Sequence, residues 1–154
     1  MTKYALTVLV AGLLLSTVLA AEEKKDDAKK DQEALQGTWK PVSSEQRGKD
    51  QGEEAREHAL IFEKDTFTVK RGDEVVAKGT FKLDPAKSPK AIDMTITEGR
   101  EDKDKGKEVR GIYQLDKTTL KWCFSEPGVA ERPTEFATKE GDKRIFATLT
   151  KDKP

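Results

Sequence analysis

The chain has 154 residues, which is the length of a single domain. Its 29 basic residues balance its 29 acidic residues, so it has no net field to attract nucleic acid or anionic lipid, and a nucleic-acid partner is excluded. Cys123 is the only cysteine, which excludes an intramolecular disulfide, and its place in an apolar run predicts a packed, inert thiol.

Residues 1–20 have the pattern of a secretory signal peptide. Lys3 is their only charge, and an uninterrupted apolar run leads to Val18-Leu19-Ala20, where small residues suit cleavage after Ala20 or Ala21. A retained membrane anchor is the alternative, because the apolar run approaches the length of a spanning helix. We therefore expect an exported protein, periplasmic or extracellular, which meets a membrane only through this segment if it stays uncleaved.

Residues 21–34 carry ten charges in fourteen positions, with both signs interleaved. Ala, Lys and Glu favour helix, but the segment has no apolar face to bury. It is predicted to be a solvated tether or a frayed helix in front of a domain at 35–151.

From Gly37 onward, apolar and polar residues alternate with a period of two, which indicates half-buried strands. The turns between them are short and suit antiparallel neighbours rather than parallel crossovers. Strands are predicted near 38–45, 59–63, 66–70, 74–83, 91–97, 108–115, 119–124, 134–138 and 144–150, with a short helix or loop at 51–58.

A meander of eight or nine strands removes its exposed edges best by closing on itself. The predicted fold class is therefore all-β, an antiparallel meander barrel, with an open two-sheet sandwich as the alternative. Pro41 cannot donate to a strand ladder, so an edge or a bulge is expected there.

Candidate catalytic and metal groups are few. His58 lies four residues after Glu54, but one histidine and a distant cysteine cannot supply a zinc site, and nothing in the spacing pairs Cys123 with His58. Asp93 and Glu135 are the carboxylates to watch, because apolar residues bracket each. We expect no metal and no cofactor, and an enzyme using these carboxylates at a barrel mouth is only a third hypothesis.

The aromatic residues carry the leading functional prediction. A barrel of about eight strands can hold either a packed core or one small ligand. The leading hypothesis is non-catalytic binding of a small hydrophobic or amphipathic molecule by Phe62, Phe67, Phe81, Tyr113, Trp122 and Phe136. The second is a structural or interaction module for an envelope protein, with a filled core and an exposed apolar patch at Val76, Ile112 and Phe146.

Five ordered motifs resemble a family of small uncharacterised exported proteins that is numerous in planctomycete bacteria. They are LQGTWK at 35–40, FKLDPAKSPKAIDMT at 81–95, GIYQLD at 111–116, LKWCF at 120–124 and RPTEF at 132–136. The resemblance carries no assigned activity.

The Gly37-Thr38-Trp39 entry is similar to the start of the first strand in lipocalins. That resemblance implies a lipocalin-like barrel in which Trp39 plugs the closed end and an arginine from a late strand packs over its ring. Here the arginine would be Arg144, with Arg132 as the second choice, and its guanidinium would add a cation–π contact.

Overall fold

The computed structural model describes residues 11–153, which form two helices, nine strands and a short 3-10 turn. In chain order they are α1 (Ala11–Leu35), β1 (Gly37–Gln46), β2 (Lys49–Asp50), α2 (Gly52–Arg56), β3 (His58–Glu63), β4 (Thr66–Arg71), β5 (Glu74–Asp84), β6 (Ala91–Gly99), the 3-10 turn (Asp102–Asp104), β7 (Glu108–Asp116), β8 (Thr119–Ser125) and β9 (Arg144–Lys151).

The strands form a closed antiparallel barrel. Each strand from β3 to β8 pairs with the next, and β1 pairs with both β3 and β9, so eight strands close the ring. The ninth, β2, extends the end of β1 as a two-residue hairpin arm. The predicted all-β, lipocalin-like barrel is confirmed, and the open sandwich is not formed.

The bulge expected at Pro41 lies in the closing strand. The register between β1 and β9 shifts between Pro41 and Ser43, while the flanking residues of β1 remain paired. A proline has no N–H for the ladder, and a bulge bends and twists the strand that contains it. The irregularity therefore accompanies closure instead of preventing it.

The strand predicted at 134–138 is wrong. Because β8 pairs directly with β9, no edge is left for it, and residues 126–143 instead cross the outer wall as a long connection. The Arg110 guanidinium donates to the Ala130 carbonyl at 2.8 Å, and the Thr138 N–H donates to the Glu45 carboxylate at 3.1 Å. These bonds replace the ladder that a strand would have made.

The same connection covers the outer wall where an apolar patch was predicted. Ile112 is 1% exposed, and Phe146 packs against Phe136 with their ring centroids 6.1 Å apart. Val76 lies instead among the residues at the barrel opening. The predicted patch of Val76, Ile112 and Phe146 is therefore not formed.

The first part of the chain is helical as far as the structure describes it. Residues 1–10 of the predicted signal peptide lie outside the described residues, and 11–20 begin α1. The predicted tether at 21–34 continues the same helix, exposed along most of its length until the last turn meets the barrel. No helix among residues 11–153 has the length and apolar character required to cross a membrane.

Candidate ligand-binding cavity

One end of the barrel is plugged by Trp39 and the end of α1. Gly37 takes a φ of +112°, a conformation that favours glycine, and so turns the chain from α1 into β1. Both Leu35 and Trp39 are fully buried, and the Trp39 indole N–H donates to the Leu35 carbonyl at 2.7 Å. The glycine and tryptophan of this entry therefore have the roles that the lipocalin resemblance implies.

The cation over the Trp39 ring is Lys151, not Arg144. Lys151 Nζ lies 5.5 Å from the ring centroid and donates to the Ala34 carbonyl at 2.9 Å. Arg144 begins β9, whose other end pairs with Trp39, and it bonds to Asp142 at 3.4 Å. The prediction of Arg144 was wrong because it placed the arginine at the wrong end of the strand.

The last turn of α1 fastens to the plugged end through Asp31. Its carboxylate accepts hydrogen bonds from the Tyr113 hydroxyl and from Lys90 Nζ, both at 2.7 Å. Burial, and then the bond to Asp31, raise the pKa of the Tyr113 phenol. The polar groups at this end are thus bonded to one another, and α1 acts as a lid over it.

The opposite half of the barrel encloses a cavity of about 390 Å³. This volume lies within the range of small-molecule sites. Part of its wall consists of buried apolar side chains, namely Ala55, Leu60, Phe67, Met94, Ile96, Val109, Trp122, Ala147 and Leu149. Further apolar residues of the lining are half-buried: Val69, Val76, Ala77, Phe124 and Ile145.

Polar side chains are confined to the rim. They come from β1, from α2 and its N-terminal flank, and from the start of β3, namely Ser44, Gln46, Gln51, Glu54 and His58. His58 Nδ1 lies 3.0 Å from the Glu54 carbonyl, which can only accept, so Nδ1 is the donor of this hydrogen bond. Among the described residues that line the cavity, none is lysine or arginine.

Trp122 brings one buried polar atom to the wall residues. It is 8% exposed, its ring stacks on Phe124 with centroids 4.0 Å apart, and its Nε1 has no hydrogen-bond partner among the described residues. A buried N–H without an acceptor is uncommon and costs free energy.

Two of the six predicted ligand-binding residues, Phe67 and Trp122, line the cavity. Phe62, Phe81 and Tyr113 are buried but lie toward the plugged end, where the rings of Phe62 and Phe81 meet edge to face at 5.0 Å. Phe136 lies outside the barrel, because the connection that contains it is not a strand.

Sequence reasoning missed the aliphatic wall and the rim. Met94, Ile96 and Val109 occupy inward positions of the alternating pattern, so the signal was present but gave no way to separate core from cavity. The rim positions of Glu54 and His58 follow from the way α2 folds across the opening, which the local sequence does not encode.

The two carboxylates considered for catalysis lie away from this cavity. Asp93 accepts from Arg132 at 2.6 Å, and Arg132 also donates to the carbonyls of Ile92 and Gly111. Arg132, the second choice for the Trp39 cation, therefore anchors the outer connection instead. Glu135 pairs with Lys139 at 3.3 Å on the surface.

Cys123 is fully buried on the outer side of β8. Its Sγ lies 3.8 Å from the Ala137 carbonyl, and burial raises the pKa of the thiol to about 11. A thiol with that pKa is a poor nucleophile near neutral pH. Within residues 11–153, no group of three His, Cys, Asp or Glu side chains is placed to hold a metal ion.

Comparison of the chain with family models, with curated proteins and with solved structures finds no match. The resemblance of its motifs to the planctomycete family therefore stays a prediction.

Proposed function

We propose that this protein is an exported, non-catalytic carrier or receptor for a small hydrophobic or amphipathic molecule. The observation that carries the proposal is the apolar cavity of about 390 Å³ in one half of a barrel that is plugged at its other end. Such a cavity, with few polar groups, is the form that small-molecule sites usually take. Export rests on the signal-peptide pattern of residues 1–20.

The geometry favours binding over the other two hypotheses. The apolar patch expected of an interaction module is not formed, because Ile112 is buried and Phe146 packs against Phe136 of the 126–143 connection. The carboxylates expected of an enzyme are in surface ion pairs outside the cavity. The cavity gives an apolar guest a contact surface that consists largely of buried apolar side chains.

A neutral fluorescent probe, N-phenylnaphthylamine, tests the proposal in solution. We expect saturable binding of one probe per chain, with enhanced emission from the apolar wall. Ala77 lines the cavity and is half-buried, so Ala77→Phe places a phenyl ring in the binding space. It should weaken probe binding by about tenfold or more, a loss of ~1.4 kcal/mol or greater.

Ala86→Phe is the matched control, since it makes the same substitution at an exposed turn near the plugged end. It should leave probe affinity unchanged. Equal probe affinity in the wild type and in folded Ala77→Phe, or no saturable binding to the wild type, would contradict the proposal.

A further inference from the structure

The three carboxylates of α2 and its C-terminal flank differ in their partners. Glu53 lies 3.8 Å from the Arg56 guanidinium. Glu57 bonds to the Arg71 guanidinium at 2.8 Å. Glu54, which lies between them in the chain and lines the cavity, is exposed and forms no ion pair with any residue in 11–153. The carboxylate at the cavity is therefore the one that is available to a cation from outside the chain.

The formal charge of the cavity lining is negative. The other rim side chains are a hydroxyl, two carboxamides and the His58 imidazole, and the rest of the described lining is apolar. Arg71 interacts with Glu54 through space, but its guanidinium is bonded to Glu57. The fixed charge of the lining therefore has the sign that attracts a cation and repels an anion.

We propose that the cavity binds an amphiphile whose polar head is a cation, an alkylammonium in the simplest case, with the head at the rim beside Glu54. This inference rests on the proposed binding function and specifies its ligand class. The apolar body of the ligand contacts the apolar lining, while its ammonium stays at the rim within reach of water. Because the Glu54 side chain is exposed, it can turn toward the head, and the attraction does not require one fixed orientation.

A carboxylate head has the opposite interaction with the same lining. At the rim it meets the like charge of Glu54. Further in, it would lose its hydration without gaining a cation, since none of the described lining residues is lysine or arginine, and that loss is a large cost. A fatty-acid anion is therefore a poor ligand, although its tail matches the apolar lining as well as the tail of an alkylammonium does.

Octylamine, octanoic acid and 1-octanol separate the effect of the head from that of the tail, because their chains are of equal length. At about pH 8 the amine is protonated and the acid is ionised. Displacement of bound N-phenylnaphthylamine measures their dissociation constants. We expect octylammonium to bind the wild type at least about fivefold more tightly than octanoate does. Raising the ionic strength to about 1 M should remove most of that difference, since the rim charge is exposed.

Affinities of Glu54→Gln supply the second readout, because this change removes the charge and nearly keeps the shape. It should weaken octylammonium by about twofold to fivefold, strengthen octanoate by a similar factor and leave octanol unchanged. A general change in packing would not move the two ions in opposite directions. Glu53→Gln is the matched control, since it removes the same charge one residue away, outside the lining. It should change the ratio of the two ion affinities by less than about twofold.

Several results would overturn the inference while octanol and the fluorescent probe still bind, so that the binding function stands. These are octylammonium that fails to displace the probe, octanoate that binds the wild type as tightly as octylammonium does, a Glu54→Gln variant that moves both ions in the same direction, and a Glu53→Gln variant with an equal effect. The comparison on the wild type decides even if a variant does not fold. Failure of octanol and of the probe to bind would instead remove the proposed function, and this inference with it.

Discussion

Because the end of α1 packs onto the barrel, truncating the Leu35 side chain should lower the free energy of unfolding substantially. This side chain is fully buried in the core cluster beside Trp39, and the main-chain carbonyl that accepts the Trp39 indole would remain in the variant. Leu35→Ala thus removes apolar contact alone. Large-to-small changes of this kind cost about 2–5 kcal/mol, because the site cannot fully collapse around the missing atoms.

Thermal unfolding followed by circular dichroism gives the magnitude directly. A domain of the size of 35–151 has an unfolding entropy of ~0.25 kcal/mol/K, so Leu35→Ala should lower Tm by about 8–20 °C. Val42→Ala is the control, because Val42 is 45% exposed. Its Tm should stay within about 2 °C of the wild type.

A Leu35→Ala variant that melts within about 2 °C of the wild type would refute the reasoning, using the same margin as for the control. The last turn of α1 would then not belong to the folding unit. Its contacts to the plugged end would contribute nothing to the stability of the barrel.

Three further outcomes are expected. Gly79→Ala should lower the free energy of unfolding by about 4 kcal/mol or more in chemical denaturation, because a Cβ there would overlap the Thr95 carbonyl oxygen. A near-neutral effect would contradict the close approach of β5 and β6. Tyr113→Phe should cost about 1–2 kcal/mol, since it removes the donor to the Asp31 carboxylate, and an unchanged midpoint in urea would contradict that bond. Burial raises the pKa of Cys123 to about 11, so above pH 9 the unfolded chain loses the thiol proton while the folded chain still holds it. As pH rises from 9 to about 11, the free energy of unfolding of the wild type should therefore fall by roughly 2 kcal/mol more than that of Cys123→Ala. Parallel pH profiles of the two proteins would contradict this expectation.

Much of the barrel could be predicted from the period-two pattern. The run at 74–83 alternates cleanly and lies within β5, and seven of the other eight predicted strands also lie within or close to observed ones. The exception, at 134–138, has short alternation but no free neighbour, since β8 and β9 already pair with each other. Strand pairing is a property of the whole sheet, so a local pattern could not exclude that segment.

The site was harder to predict than the fold. Alternation shows which side chains face the barrel interior, but not whether they pack against one another or leave a cavity. Gly79 illustrates the limit, because alternation along β5 does not show that this glycine lets β5 and β6 approach closely. Arg144 illustrates a second limit, since locating the cation over Trp39 required knowing which end of β9 adjoins β1. Both cases concern the placement of one strand relative to another, which alternation along one strand does not contain.

The first turn of the domain was predictable for a different reason. Gly37 and Trp39 are local features with strict requirements, a positive φ and a buried ring beside the lid helix. The role of Asp31 was not predictable, because the charged segment around it looks uniformly solvated in the sequence. Its partners, Lys90 and Tyr113, are brought to it by β6 and β7.

The central claim is that the barrel cavity holds a small molecule. Native mass spectrometry of the wild type and of Ala77→Phe, each purified from the producing cells' own envelope fraction and then extracted with organic solvent, tests it most directly. The account predicts a stoichiometric excess mass on the wild type that organic extraction releases and that Ala77→Phe lacks. Matching apo masses for both proteins, with no binding of neutral apolar probes to the wild type, would contradict it.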